Sequence, residues 1–296
     1  MLNIQSVQAL IQLIDDPDDH VYEHVHDQLK SFGSDAIPYL EESWEYMTYG
    51  LLFQNRVENL IHEIQVETIQ EMLKNWIVSE DKDLLEGALI VARFQYPGLD
   101  IDKTKAEIER IRRAIWIEMN PNQTSFEKIR TFNRVFFGEN RFDGDTKNYN
   151  SPLNSFVNTV LETKKGNPLT LSLIYSVIAQ SLRMPVYGVN LPNHFVVAYM
   201  DEHFINAAAG KESPYGVLFY INPFSKGSIL QESDIEQFIS SLNLTEKRAY
   251  FEPCPNTQII KRMIINLINS YQLSGNTQKV GELLAMKNLF NQSKID

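Results

Sequence analysis

Residues 165–175 read KGNPLTLSLIY, residues 184–189 read MPVYGV and residues 191–197 read LPNHFVV. The first segment predicts a helix, because Pro168 suits a first-turn position, where its fixed φ and its missing N–H cost nothing. The apolar runs that follow predict two short strands separated by a tight turn, with the second strand beginning at His194. Since the helix and both strands are largely apolar, we expect them to form the centre of the molecule.

The composition predicts a packed globular protein. Hydrophobic residues make up 43% of the 296 residues, enough for a large core. The net charge of −11 argues against nucleic-acid and anionic-membrane partners, since both need a basic face. A single cysteine, Cys254, rules out an internal disulfide and a cysteine-rich metal site. The sequence shows no signal-peptide pattern and no apolar run of membrane-spanning length, so we predict a cytoplasmic protein. We also predict that it binds no cofactor and no metal.

Helical periodicity dominates residues 1–115. Turn formers such as Asp15-Asp16-Pro17, Gly33 and Tyr96-Pro97-Gly98 separate its apolar stripes. The segment from Ser31 to Leu40 resembles the turn between two helices of a HEAT-type hairpin. We therefore predict a HEAT-like helical region, with helices over residues 20–32, 36–46, 58–77, 84–94 and 101–119.

The pattern changes in residues 116–250, where turn-rich loops alternate with short apolar runs. The periodicity of these runs predicts helices over 126–137, 155–164 and 234–242. It also predicts strands over 196–199, 204–206 and 215–221.

Residues 251–296 return to helical spacing, and the turn Gly275-Asn276 divides them into two helices, over 259–273 and 277–290. One such pair is typical of a tetratricopeptide-type hairpin. The residues expected to face each other across it are Leu267, Tyr271, Val280, Leu283 and Leu284. The predicted fold class is α+β: a helical N-terminal region, a core with a small antiparallel sheet, and a C-terminal helical hairpin.

Four phrases occur in a fixed order: FFGENRF at 136–142, KGNPLTLS at 165–172, GVNLPNHF at 188–195 and INPF at 221–224. Together they resemble the transglutaminase-like superfamily, in the branch that contains the bacterial Sir B-type regulator proteins. The resemblance spans about residues 90–235. It implies a transglutaminase-like (papain-like) core within residues 116–250, followed by the tetratricopeptide-like tail common in that branch.

The resemblance also implies where a catalytic triad would lie. Active members of the superfamily carry a cysteine at a helix start, a histidine that opens the next strand, and an aspartate on a third strand. In this chain Pro168 occupies the cysteine position, His194 the histidine position and Asn222 the aspartate position. Proline is no nucleophile, and asparagine can orient an imidazole but cannot stabilise imidazolium by charge. The resemblance therefore implies the fold without its thiol chemistry.

Other side chains could in principle replace the missing nucleophile. Thr170 and Ser172 lie near the helix start, but their hydroxyls are expected to serve the free N–H groups of the first turn. Cys254 lies about sixty residues beyond His194 and could reach the site only if the chain folds back. We expect it to be a packed or surface cysteine without a catalytic role.

Two further polar clusters are expected to be structural. The acidic loop from Glu139 to Asp145 lacks calcium-loop spacing, because Lys147 stands where an oxygen ligand is needed. His20 and His24 lie one helical turn apart, but no third ligand accompanies them, so we expect a solvated helix face.

Three hypotheses for function follow. The first is a non-catalytic interaction or regulatory protein whose groove binds a protein or peptide partner through Asn167, Thr170, Asn193 and His194. The second is a hydrolase or acyltransferase that uses an unconventional nucleophile such as Cys254 or Thr170. The third is a structural domain whose groove is filled by its own side chains, such as Tyr175 or Phe195.

Overall fold

The computed structural model describes residues 4–46, 50–201 and 214–292. It divides the chain into two compact units, residues 1–75 and residues 76–296. The sequence predicts three regions, with boundaries after residues 115 and 250, and this finer division stays a prediction. The predicted strand over 204–206 lies outside the described residues.

The first unit is helical. Its helices are α1 (Ile4–Gln12), α2 (Asp19–Ser31), α3 (Ile37–Tyr46) and most of α4 (Leu51–Val78). Pro38 lies in the first turn of α3, as predicted. Helix α4 begins at Leu51, ahead of the predicted start at residue 58, because Phe53 and Val57 extend its buried stripe toward the N-terminus. His20 and His24 are exposed on α2, as expected for a solvated face.

Three helices open the second unit, and each begins at a side-chain cap, which satisfies a free N–H group of the first turn. They are α5 (Leu84–Arg93), α6 (Ile101–Glu118) and α7 (Ser125–Asn133). Asp83 caps α5, Asp100 caps α6, and Thr124 with Glu127 forms a capping box on α7. A π-helical turn over Arg134–Glu139 follows α7 in place of the straight helix predicted to residue 137.

Helix α9 (Pro168–Ser181) lies at the centre of the second unit, and eleven of its fourteen residues are buried. Just before it, α8 (Val157–Thr163) leads into a short parallel pair, β1 (Asp143–Gly144) with β2 (Lys165–Gly166). Tyr175 of α9 packs in an aromatic cluster with Phe132 and Phe136, and its hydroxyl donates to Asn133 Oδ1 at 2.8 Å. The prediction of a central, apolar helix is confirmed.

A four-stranded antiparallel sheet packs beside α9. Its order is β3 (Val186–Val189), β4 (Val196–Met200), β5 (Val217–Asn222) and β6 (Ser228–Leu230). The small antiparallel sheet is confirmed, although β6 was not predicted and β4 begins two residues after His194. A Cβ on Gly188 would stand 2.8 Å from the Phe195 ring and 2.9 Å from Ile259, so this strand position needs glycine.

Three α-helices complete the described part of the chain: α10 (Glu232–Ser241), α11 (Asn256–Leu273) and α12 (Thr277–Gln292). Gly275, at φ +75°, turns the chain between α11 and α12, as predicted. Leu267, Tyr271 and Leu283 are buried in this hairpin, but Leu284 is 36% exposed, and Met286 and Phe290 take the inward positions. No helix in the described ranges is both long and apolar enough to cross a lipid bilayer.

Candidate functional site

The N-terminus of α9 is held by Asn167. Its Oδ1 accepts from the backbone N–H of Thr170 at 2.9 Å, and its Nδ2 donates to Ser155 Oγ at 2.9 Å. Pro168 is the first helical residue, so its lack of an N–H leaves no donor unpaired. The position that the family resemblance assigns to the nucleophile is therefore a proline in an ordinary helix start.

The two hydroxyls of the first turn do not cap the helix as expected. Thr170 is fully buried, and its Oγ1 has no hydrogen-bond partner among the described residues. Ser172 Oγ points across to the strand region and lies 3.5 Å from the carbonyl oxygen of Phe195. Asn167 performs the capping instead, because its amide already satisfies the donor that a hydroxyl would have served.

His194 lies at the end of the turn that precedes β4. Asn193 adopts the left-handed conformation at φ 56°, which asparagine tolerates better than most residues other than glycine. The imidazole forms a side-chain hydrogen bond with Asn222, and its ring lies 6.4 Å from Phe224 and 6.0 Å from Phe238, between centroids. Burial lowers the pKa of His194, the Asn222 hydrogen bond opposes this, and the Arg262 charge adds to it.

Asn222 ends β5 and also holds the turn that follows. Its Oδ1 accepts from the backbone N–H groups of Phe224 at 3.1 Å and Ser225 at 3.3 Å, while Nδ2 donates to Ser225 Oγ at 3.2 Å. The amide therefore holds this turn and also raises the pKa of His194 as a hydrogen-bond partner. It carries no charge, so it favours a protonated imidazole less than a carboxylate would.

An open cleft of about 1180 Å³ lies beside His194. Asn167, Pro168, Asn193 and His194 line one side of it, and one face of α11 lines another. Thr170 and Asn222 are not among its lining residues. Tyr175 is buried in the core away from the cleft, whereas Phe195 is buried and lines it. The cleft is open beside Phe195, so its own side chains do not fill it, contrary to the third hypothesis.

Arg262 on α11 connects the two sides. Its Nη1 donates to Asn190 Oδ1 and to the carbonyl oxygen of Leu191, in the loop that leads to His194. The side chain is half-buried, and burial lowers the pKa of its guanidinium. Both of its hydrogen-bond acceptors, the Asn190 amide oxygen and the Leu191 carbonyl oxygen, are uncharged.

Cys254 does fold back toward the site. Its N–H donates to the carbonyl oxygen of Gly188 on β3 at 2.9 Å, and its sulfur lies close enough to Arg262 for the charge to act on it. Burial nevertheless raises the pKa of the Cys254 thiol to about 12, against the lowering effect of Arg262. The group is a thiol at neutral pH, which removes its nucleophilic form.

The acidic loop from Glu139 to Asp145 is held in place by ion pairs and by a buried aromatic side chain. Asp143 Oδ2 lies 3.0 Å from Lys165 Nζ and 3.8 Å from Lys226 Nζ, while Phe142 is buried and stacked 4.2 Å from Phe136 between centroids. Within the described ranges, no three His, Cys, Asp or Glu side chains are grouped as a metal site would require.

Sequence reasoning missed the side of the cleft formed by α11. Its polar residues recur at helical spacing, and the signal in the sequence is the stripe Gln258, Lys261, Arg262, Asn266 and Asn269. The inward face of the same helix is apolar and buried, at Ile259, Ile260, Met263, Ile264 and Leu267. A polar stripe of this kind is ordinarily read as a solvated face, and only the packing of α11 beside the 190–194 loop turns it into a cleft wall.

Comparison with known proteins assigns the family. Residues 102–265, more than half of the chain, match the model of the transglutaminase-like superfamily, and the chain belongs to that superfamily. The match covers α9, the sheet and α11 as far as residue 265, and it therefore includes the start of α9, the loop before β4 and the part of α11 that line the cleft.

The relatives include UPF0162 proteins and F-box only protein 21. A UPF0162 protein of Xylella fastidiosa is 26% identical over 215 residues, which is 70% of this chain and 72% of that protein. A UPF0162 protein of Vibrio cholerae is 24% identical over 157 residues, 53% of each chain. Human F-box only protein 21 is 22% identical over 249 residues, 77% of this chain but 37% of that longer protein. No solved structure gives a significant match.

Proposed function

We propose that this chain is a non-catalytic member of its superfamily and acts as a protein-interaction or regulatory module. One observation carries the proposal: Pro168 and His194 line the same open cleft, so the site keeps its shape where the nucleophile is missing. The proposal includes membership of the Sir B-type branch, a cytoplasmic location and a tetratricopeptide-like C-terminal hairpin.

The protonation states support the absence of thiol chemistry. Burial lowers the pKa of His194, so the ring is neutral at neutral pH, and its partner Asn222 is an uncharged amide. A Cys–His pair works through a thiolate beside an imidazolium, and neither ion is favoured here. The nearest other candidates are the Thr170 hydroxyl, which is fully buried, and the Cys254 thiol, whose pKa burial raises to about 12.

The geometry of the cleft supports a binding role. Asn167, Asn193 and His194 present polar groups to a cavity larger than most small-molecule pockets, which measure roughly 300–1,000 Å³. Of the four residues proposed to bind in the groove, Thr170 lies behind the wall and would act only through packing. The F-box only protein 21 relatives carry a similar region within a much longer chain, which fits a module joined to other parts.

Thiol chemistry is tested by alkylation with iodoacetamide near neutral pH. We expect slow modification of Cys254 in the wild type, unchanged by His194→Ala, because the thiol is protonated. Pro168→Cys combined with Cys254→Ser is the positive control, since it puts a cysteine at the helix start, in the cleft that His194 lines. Fast alkylation of Cys254 that depends on His194 would instead support the hydrolase or acyltransferase alternative.

The binding role is tested by affinity capture of partners with groove-blocking variants. Asn193→Trp puts a large side chain at the cleft, and Asn243→Trp is the matched control, because both asparagines are exposed and left-handed, with φ 56° and 54°. We expect partners to be lost with Asn193→Trp and retained with Asn243→Trp, with His194→Ala as a milder block. Equal capture by all variants would contradict a role for the groove.

A further inference from the structure

The cleft is positively charged in an acidic protein. Three cationic side chains line it, Lys82, Lys261 and Arg262, and none of the described residues that line it is Asp or Glu. The whole chain carries 38 acidic against 27 basic residues, a net charge of −11. A patch without carboxylates therefore departs from the rest of the molecule, and it coincides with the concave site.

The three cations are bonded only to neutral groups. Lys82 Nζ donates to the carbonyl oxygen of Ser79 at 2.5 Å, and Lys261 Nζ donates to Asn291 Oδ1 at 2.8 Å. Arg262 donates to an amide oxygen and a backbone carbonyl in the 190–191 loop. Within the described ranges, no carboxylate forms an ion pair with any of them.

Two half-buried lysines elsewhere in the chain differ in this respect, although Lys279 on α12 also donates to a neutral acceptor, Gln95 Oε1, at 2.6 Å. Lys30 lies 2.9 Å from both Glu63 and Glu67, and Lys164 lies 2.6 Å from Glu107. A half-buried cation without a counterion loses hydration that neutral acceptors replace only in part. An anionic ligand in the cleft would offset that cost, which points to carboxylates as the missing partners.

The shape of the cleft fits an extended chain. Its α11 wall runs from Gln258 to Leu273, and fifteen residues of helix rise about 22 Å. An extended peptide advances about 3.3 Å per residue, so this wall accommodates six or seven residues. A compact small anion would leave most of that length empty.

The rest of the α11 wall suits a polypeptide. Asn266 and Asn269 offer amide donors and acceptors for a peptide backbone. Ile265 is 36% exposed and Leu273 is 72% exposed, and both line the cleft, so apolar side chains of a ligand have partners there. Hydrogen-bonding groups, apolar patches and cations occur along one surface, as peptide recognition requires.

We propose that the cleft binds an acidic polypeptide segment in extended conformation, with its carboxylates at Lys82, Lys261 and Arg262. The inference rests on the proposed binding function of the groove and adds the chemistry of the ligand. The N-termini of α9 and α11 also line the cleft, and their dipoles favour negative charge.

The test is fluorescence anisotropy with two labelled octapeptides, one alternating Glu with Leu and the other alternating Gln with Leu. We expect the Glu peptide to bind at least about tenfold more tightly, since its carboxylates form charge-assisted hydrogen bonds that the Gln amides cannot form. Its affinity should also fall as salt is added, because salt screens the attraction.

Matched variants locate the site. Lys261→Gln and Arg262→Gln should each lower the affinity for the Glu peptide about tenfold. Lys105→Gln and Arg130→Gln, at exposed helical positions outside the cleft, should leave that affinity unchanged. Thermal unfolding checks that each variant folds; if loss of the Arg262 contacts unfolds the chain, Lys261→Gln carries the comparison.

The contrary outcomes are distinct from failure of the proposed function. Equal binding of the Glu and Gln peptides, absence of binding by both, or equal effects of cleft and control variants would each overturn the acidic-ligand inference. Partner capture that is still blocked by Asn193→Trp would then leave the groove function intact. Competition by an oligothymidylate octamer as effective as that of the Glu peptide would reassign the site to nucleic acid.

Discussion

The two walls of the cleft use similar polar residues in opposite ways. On the α9 wall, Asn167 bonds to Thr170 and Ser155, and His194 bonds to Asn222, so each side chain has partners within the protein. On the α11 wall, Asn269 is exposed and forms no side-chain hydrogen bond with the described residues. The cations of that wall are bonded only to neutral acceptors.

The difference separates stability from recognition. A polar group that is satisfied within the chain stabilises the fold, and removing it leaves its buried partner unpaired. A polar group that faces an open cleft contributes little to folding but is available to a ligand. Substitutions on the α9 wall should therefore change the free energy of unfolding, whereas those of exposed α11 residues such as Asn269 and Leu273 should change binding alone. Arg262 is the exception on that wall, because it also holds the 190–191 loop.

The largest contrast is expected for leucine. Leu171 of α9 is fully buried, so Leu171→Ala should lower the free energy of unfolding by about 2–5 kcal/mol through lost burial and a cavity. Leu273 of α11 is 72% exposed, so Leu273→Ala should lower it by less than about 0.5 kcal/mol. Urea denaturation of both variants measures the difference, and comparable losses would show that the α11 end is packed more tightly than its exposure indicates.

A smaller contrast is expected for asparagine. Asn167→Ala removes a helix cap and leaves the Ser155 hydroxyl, which is 1% exposed, without its partner, so we expect a loss of about 2 kcal/mol. Asn269→Ala lies in the interior of α11, where alanine is the better helix former, and should be neutral or slightly stabilising. Urea denaturation midpoints compare the two, and a matching loss at Asn269 would indicate that it has a structural partner.

Local rules predicted the α9 wall well. Pro168 at the first helical position and the apolar helix behind it follow from backbone sterics and periodicity alone, and the structure confirms both. The family resemblance added the pairing of His194 with Asn222, which no local rule contains. The roles of Thr170 and Ser172 in the first turn were predicted wrongly, because Asn167 competes for the same N–H group.

The α11 wall could not be predicted from the sequence. Arg262 reaches Asn190 and Leu191 across more than seventy residues, and no spacing rule connects such positions. A helix with one apolar and one polar face indicates which side is buried, but the polar side looks the same whether it borders a cleft or bulk solvent. The long-range packing of the chain decides between the two.

The smallest expected effect concerns the pH dependence of His194. Burial and the Arg262 charge lower its pKa below the ordinary 6.5, against the effect of the Asn222 hydrogen bond. The unfolded state then binds the proton more readily than the folded state. This group therefore leaves the free energy of unfolding unchanged above about pH 6.5 and lowers it as the pH falls toward the folded pKa.

Urea denaturation of the wild type and His194→Gln, from about pH 8 to about pH 5, isolates this contribution, because the other histidines are common to both proteins. The difference between the two curves should be constant above about pH 6.5 and should shift against the wild type below it. Parallel curves over the whole range would mean that His194 titrates alike in both states. In that case its hydrogen bond to Asn222 would offset the cost of burial, and His194 would be protonated in the folded protein as readily as in the unfolded one.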